Sequence, residues 1–207
     1  YLDWEDDEES IQKRQTMLAK GMETGVIGVH YRRCFLPLAE DIDAFLALTD
    51  EVKPGLIIID SLGLAAGDDL VGSKAPLGVY STIRRYPATY LILAHTAKNP
   101  ADRSGRTVYG NLYFGALARA TWEVVRIQDP QSSIVNLGIY HRKSNHTGLL
   151  GALGMRFHFD RQQGLKVERY DLKGDAELAE RLHISTRIEA ALKDGPQKAR
   201  DLPGTLS

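Results

Sequence analysis

Three polar side chains each stand where an apolar run gives out: Glu5 after Tyr1-Leu2-Asp3-Trp4, Asp60 after Leu56-Ile57-Ile58-Ile59, and His95 after Thr89-Tyr90-Leu91-Ile92-Leu93-Ala94. In an open parallel sheet the reactive groups collect just beyond the carboxyl ends of the strands. Two carboxylates and an imidazole placed there form a set suited to phosphoryl transfer to water. One carboxylate holds a metal, another orients or deprotonates the water, and a polar group senses the terminal phosphate. Each residue also has a plainer reading. An Asp after a strand caps or turns the chain, a Glu there opens the next helix because acids favour the first helical turn, and a lone His packs at a core rim. All three at consecutive strand ends is the more specific pattern.

The elements that must carry these residues follow from periodicity and punctuation. Residues 1–4 read as the tail of a strand, and residues 8–20 as an amphipathic helix with Ile11, Met17 and Leu18 on its apolar side. A short strand is predicted over 26–31 and a helix over 39–49, stopped by Pro54-Gly55. The β-branched run 56–60 reads as a central parallel strand covered on both faces. A Gly-rich loop over 61–74, a helix over 76–86 and a buried strand over 89–94 complete a βαβα alternation, which implies a mainly parallel sheet with crossover helices. Beyond residue 120 the pattern changes to strands over 121–127, 134–142, 153–159 and 164–170 separated only by turns, as expected for antiparallel strands extending the sheet. The fold class is therefore α/β with a β-rich C-terminal half. Residues 1–172 are expected to form the core and 173–207 a helical tail, with helices over 175–182 and 184–192 and a helix start over 197–202. That tail reads either as the opening of a winged helix or as helices packed on the core.

Composition bounds the function. The chain has 207 residues, 43% of them hydrophobic, enough for one ordinary core. Its 26 Lys and Arg against 27 Asp and Glu leave a net charge of −1, so any contact with nucleic acid has to be local. The single Cys34 excludes an internal disulfide and fits a reducing, cytoplasmic setting. No apolar run approaches the roughly 20 residues that span a bilayer, so no membrane partner is expected.

Two further stretches invite attention. Residues 98–109 (KNPADRSGRTVY) carry Lys98, Arg103 and Arg106 directly after His95. They read either as a polar surface loop or as a loop contacting nucleic-acid phosphates without reading sequence. Residues 67–74 (GDDLVGSK) imitate a phosphate loop. The final Ser73-Lys74 is transposed, however, and Asp68 and Asp69 would repel phosphate rather than cradle it. No G-x-x-x-x-G-K-[S/T] occurs in the chain.

The segments YLDWEDDEESIQKR (1–14), LIIIDSLGLAAGDD (56–69), LILAHTAKN (91–99), YGNLYFGALARATWEVVR (109–126) and HRKSNHTGLLGALGMRFHFD (141–160) together resemble the RecA-like ATPases. The likeness is strongest to the RepA-like hexameric helicase branch and its phage and plasmid relatives. The resemblance implies an ATP hydrolase that uses Mg²⁺. Glu5 would be the base for the attacking water, and Asp60 the Walker B aspartate holding Mg²⁺ through a water, with Ser61 beside it at the nucleotide. His95 would be the switch residue that couples the γ-phosphate to the 98–109 loop. Arg119 resembles the arginine that reaches a neighbouring subunit's nucleotide, and Lys143 the basic residue of a late hairpin that also crosses the subunit boundary. Asn145 stands where many of these helicases carry an arginine. The resemblance further implies a homo-oligomeric, hexameric ring acting on single-stranded DNA. In this family the phosphate loop precedes the segment matched by YLDWE, so the chain is expected to be a fragment beginning after Walker A, inactive alone. A recombinase-like or regulatory ATPase, and a degenerate scaffold of the same fold, are the alternatives.

Overall fold

The computed structural model describes residues 1–67, 69–96, 108–193 and 195. They form two units, Tyr1–Thr16 with Gly25–Arg119, and Met17–Thr24 with the described residues from Ala120 onward.

The first unit holds β1 (Leu2–Asp3), most of α1 (Glu8–Gly21), β2 (Arg32–Arg33), α2 (Ile42–Val52), β3 (Leu56–Asp60), α3 (Leu62–Ala66), α4 (Lys74–Ile83), β4 (Thr89–Ile92) and α5 (Tyr113–Leu117). Its four strands pair in parallel in the order β2-β1-β3-β4. Parallel pairing follows from the helical connections, since a parallel return needs a crossover where an antiparallel one needs only a turn. From β1 the chain steps outward to β2, then crosses back to β3 on the other side. The crevice between the ends of β1 and β3 is thus the topological switch point of the sheet.

The acidic run Asp6–Glu9 builds the start of α1. Asp7 Oδ1 accepts the Ser10 N–H at 2.9 Å as a cap, and Glu8 and Glu9 occupy the first turn, with Lys20 in the last. Ile11 is buried as expected, but Met17 and Leu18 are exposed, and Ala19 is the buried residue of the later turns. The end of the helix makes a close approach elsewhere: a Cβ on Gly21 would lie 2.3 Å from the backbone carbon of Leu165, so only a glycine fits there.

Residues 26–31 are not the second strand; it is Arg32–Arg33. The ladder is set by its partner, Arg32 N donating to Tyr1 O and Cys34 N to Asp3 O, so residues 26–29 have no β1 residue opposite them. The next helix starts at Ile42 rather than at 39, because the N–H groups of Glu40 and Asp41 first turn back onto Pro37 O. It ends at Lys53 in the left-handed conformation, φ 50°, before Pro54.

Ile57 and Ile59 of β3 are buried in the core with Leu38, Phe45, Leu62, Val79 and Phe114. The other face differs from the expected full cover: Ile58 is half-buried and Leu56 exposed. β4 ends at Ile92 and lies at the edge of the described sheet, with Tyr90 and Ile92 packed against the core and Leu91 and Leu93 exposed. The stretch 61–74 is not wholly loop, since α3 forms within it and α4 begins at its end.

In the second unit β5 (Ala120–Ile127), β6 (Ile134–Ser144), β7 (Leu153–Asp160) and β8 (Gly164–Arg169) pair antiparallel in chain order. They hydrogen-bond among themselves as a second four-stranded sheet, the local outcome when short turns bring successive strands side by side. A short 3₁₀ turn (Leu172–Gly174), α6 (Ala176–Ala179) and α7 (Ile184–Ala191) follow. Asp175 caps α6 by accepting the Leu178 N–H, and Leu178, Leu172 and Tyr140 form this unit's buried cluster. The possible helix start over 197–202 lies outside the described residues.

Candidate functional site

The site is assembled by backbone bonds at the strand ends. Trp4 N donates to Asp60 O at 2.7 Å, Leu93 N to Ile59 O at 2.9 Å, and Leu62 N to Leu93 O at 2.7 Å. These place the residues after β1, β3 and β4 side by side. The peptide between Asp60 and Ser61 is cis.

On that platform Ser61 Oγ donates to Glu5 Oε1, and His95 Nε2 lies 3.6 Å from the same oxygen. Ser61 is buried, the Glu5 side chain is 42% exposed and the His95 side chain 79%. The three line a cleft of about 460 Å³ together with Leu62, Gly63, Leu64, Gly67, Leu70, Ala94, Tyr109 and Phe114. The oxygen Oε1 thus accepts the Ser61 hydroxyl, with the imidazole standing beside it. A carboxylate held in this way can accept a proton from water. An imidazole beside it pairs ionically only when protonated.

Asp60 is set differently. Its Oδ2 accepts the hydroxyl of Tyr1, and it is not among the residues lining the cleft. Burial, followed by that bond to Asp60, pushes the Tyr1 hydroxyl above its ordinary range. Arg119 is exposed, one residue before β5. Lys143 lies on β6 opposite Thr121, and Asn145 follows that strand. Lys98, Arg103 and Arg106 lie outside the described residues. Of the described residues on either side in sequence, His95 O accepts the Tyr109 N–H at 2.8 Å, and Thr96 bridges Val108.

Sequence reasoning assigned nothing to Asp3, Tyr1 or Tyr31. Asp3 is 1% exposed, and its Oδ1 accepts the N–H groups of both Glu5 and Asp6 at 2.9 Å. The Tyr31 hydroxyl is 3.4 Å from Asp3 Oδ2 and donates to Asp6 O at 3.1 Å. The signal available in sequence was an Asp two residues before a Glu at a strand end, since Asp side chains bond the backbone two residues on.

Asp60 and Ser61 offer the oxygen donors that Mg²⁺ takes, and Mg²⁺ needs only one or two carboxylates when waters and phosphate oxygens complete its shell. Among the described residues no group of three or more His, Cys, Asp or Glu could hold a metal ion unaided. Among the described residues no Lys or Arg lines the cleft. Within the cleft Glu5 and Ser61 are the oxygen-bearing side chains of this set, while the Asp60 carboxylate is bonded to Tyr1 and lies outside the lining.

No protein-family model matches the chain, and no curated protein matches it. Among solved structures it is similar to a KaiC-like protein, PH0186, from the hyperthermophilic archaeon Pyrococcus horikoshii OT3. The identity is 13%, the alignment covers 81% of this chain and 74% of that one, and the TM-score is 0.45. No helix among the described residues is long and apolar enough to cross a membrane.

Proposed function

We propose that this chain carries the water-activating part of a RecA-like site that hydrolyses Mg²⁺-bound ATP. The observation that carries the reading is the meeting of Glu5, Ser61 and His95 at the switch point of a parallel sheet. Bound Mg²⁺ would supply neutralisation of the charge that develops on the phosphates. Glu5 takes the proton of the attacking water on Oε2, while Ser61 holds Oε1. Asp60, at the end of β3, would hold Mg²⁺ through a water once its carboxylate exchanged the Tyr1 hydroxyl for that water. His95, between Glu5 and the segment joined through Tyr109, couples occupancy of the cleft to the loop that carries Lys98, Arg103 and Arg106.

On this reading the protein is a replicative or plasmid-type hexameric helicase that moves along single-stranded DNA. Arg119 and Lys143 would act at subunit boundaries, and the basic loop would meet DNA phosphates. The net charge of −1 favours a local rather than a global contact with DNA. A second reading, a non-hydrolysing scaffold of the same fold, draws on the absence of Lys and Arg from the cleft's lining among the described residues.

The test is Glu5→Gln in the protein that carries this chain. Loss of a general base is expected to lower kcat about 10²- to 10⁴-fold while ATP affinity, measured by calorimetry, stays within a few-fold. Undiminished turnover in the variant contradicts the assignment, and absence of hydrolysis in the wild type favours the scaffold. DNA-stimulated hydrolysis with strand unwinding would separate a helicase from a recombinase-like or regulatory ATPase.

A further inference from the structure

Glu5 belongs to no helix or strand; residues 4–6 form a bend between β1 and α1. A side chain on such a bend has no ladder of its own to hold it, yet a catalytic base has to be kept within about 0.5 Å of its working position. The bend is held from one side by strand bonds, Trp4 N to Asp60 O and Cys34 N to Asp3 O, both 2.7 Å. From the other side a single buried oxygen, Asp3 Oδ1, takes the N–H of Glu5 and the N–H of Asp6 together. Moving the backbone bend that carries Glu5 would break both bonds and leave a buried carboxylate short of partners, which is costly where water cannot replace them. The Tyr31 hydroxyl closes the remaining side of the carboxylate.

We infer that Asp3 is the positioning residue for Glu5, and that it acts through the place of one acceptor oxygen rather than through its charge. The inference rests on the reading of Glu5 as the water-activating base. It makes a prediction that runs against ordinary conservative substitution. Asp3→Asn keeps an oxygen at the same reach, and its amide nitrogen can donate to Tyr31, so the bend survives without the charge. Asp3→Glu keeps the charge but moves the oxygen outward by a methylene, so the bend shifts. Asp3→Ala removes the acceptor.

The experiment measures kcat, ATP affinity and thermal unfolding for wild type, the three Asp3 variants and Glu5→Gln, in the protein that carries this chain. The expected result is kcat within about threefold of wild type for Asp3→Asn. For Asp3→Glu and Asp3→Ala kcat should fall about 10- to 100-fold, the scale of an ångström-sized misplacement, with ATP affinity unchanged. If Asp3→Glu fails to fold, Asp3→Ala carries the comparison. The inference is overturned if Asp3→Asn falls as far as Asp3→Glu. It is equally overturned if Asp3→Glu and Asp3→Ala lower only the melting temperature and keep wild-type kcat. A Glu5→Gln variant that turns over normally would instead overturn the underlying assignment of the base.

Discussion

At the residue scale, the site depends on hydroxyls as much as on carboxylates. Tyr1 and Tyr31 stack, with ring centroids 6.2 Å apart and planes 20° from parallel, and each presents its hydroxyl to an aspartate, Tyr1 to Asp60 and Tyr31 to Asp3. Burial and then the Asp3 charge push the Tyr31 hydroxyl up to about 12, and burial takes Tyr90 and Tyr140 to about 12 as well. A folded-state value above the unfolded one means that the native state keeps its protons longer. The stability this contributes is whole below the ordinary tyrosine value near 10 and is lost as pH rises through about 12. An absorbance titration at 295 nm should therefore show some of the nine tyrosines ionising late, with unfolding stability falling between pH 10 and 12. Tyr31→Phe should remove one late-ionising group. Ionisation of every tyrosine near pH 10 in the folded protein would contradict this. Glu5 and His95 were legible in sequence because each follows an apolar run that had to end somewhere, whereas Ser61 came only from the family resemblance. Asp3 and Tyr1 were not, because their contributions depend on which backbone or carboxylate atom a hydrogen bond reaches.

At the scale of elements, the second sheet is tied by a buried ionic group. Glu123 on β5, its side chain 3% exposed, accepts Arg142 Nε at 2.9 Å and Nη2 at 2.7 Å on one oxygen, and Arg181 Nη1 at 2.8 Å on the other. Tyr140 adds its ring beneath the Arg142 guanidinium and a 2.6 Å bond to Leu178 O. Removing the acid leaves two guanidinium groups with no counter-charge in a poorly hydrated place, a loss of about 3–5 kcal/mol for a broken buried pair. Glu123→Ala should lower urea-unfolding stability by that order, and a change below about 1 kcal/mol would show that water reaches the group. Hydrophobic runs with clear stops, such as 56–60 and the four later strands, were readable from the sequence to within a residue or two. The strand at 32–33 was not, because two arginines carry no β-pattern and only the β1 ladder selects them. The helix Leu62–Ala66 was hidden for a related reason: its five residues make little more than one turn, too short for a helical repeat to show, and the bond from Leu62 N to Leu93 O that anchors it spans distant positions.

At the scale of the whole molecule, the α/β class and the change from parallel to antiparallel pairing were visible as a change of rhythm near residue 120. That the later strands pair as a sheet of their own was not visible, since periodicity reports which residues alternate but not which edge they join. The order β2-β1-β3-β4 has the larger consequence, because it puts the ends of β1, β3 and β4 next to one another and so gathers a Glu, a Ser and a His from positions as far apart as 5 and 95. A crystal structure of the protein with Mg²⁺ and a non-hydrolysable ATP analogue tests that convergence directly. The account predicts the γ-phosphate in the cleft beside His95, with a water about 3 Å from Glu5 Oε2. An analogue bound elsewhere, or a Glu5 carboxylate turned away from the phosphate, would contradict it.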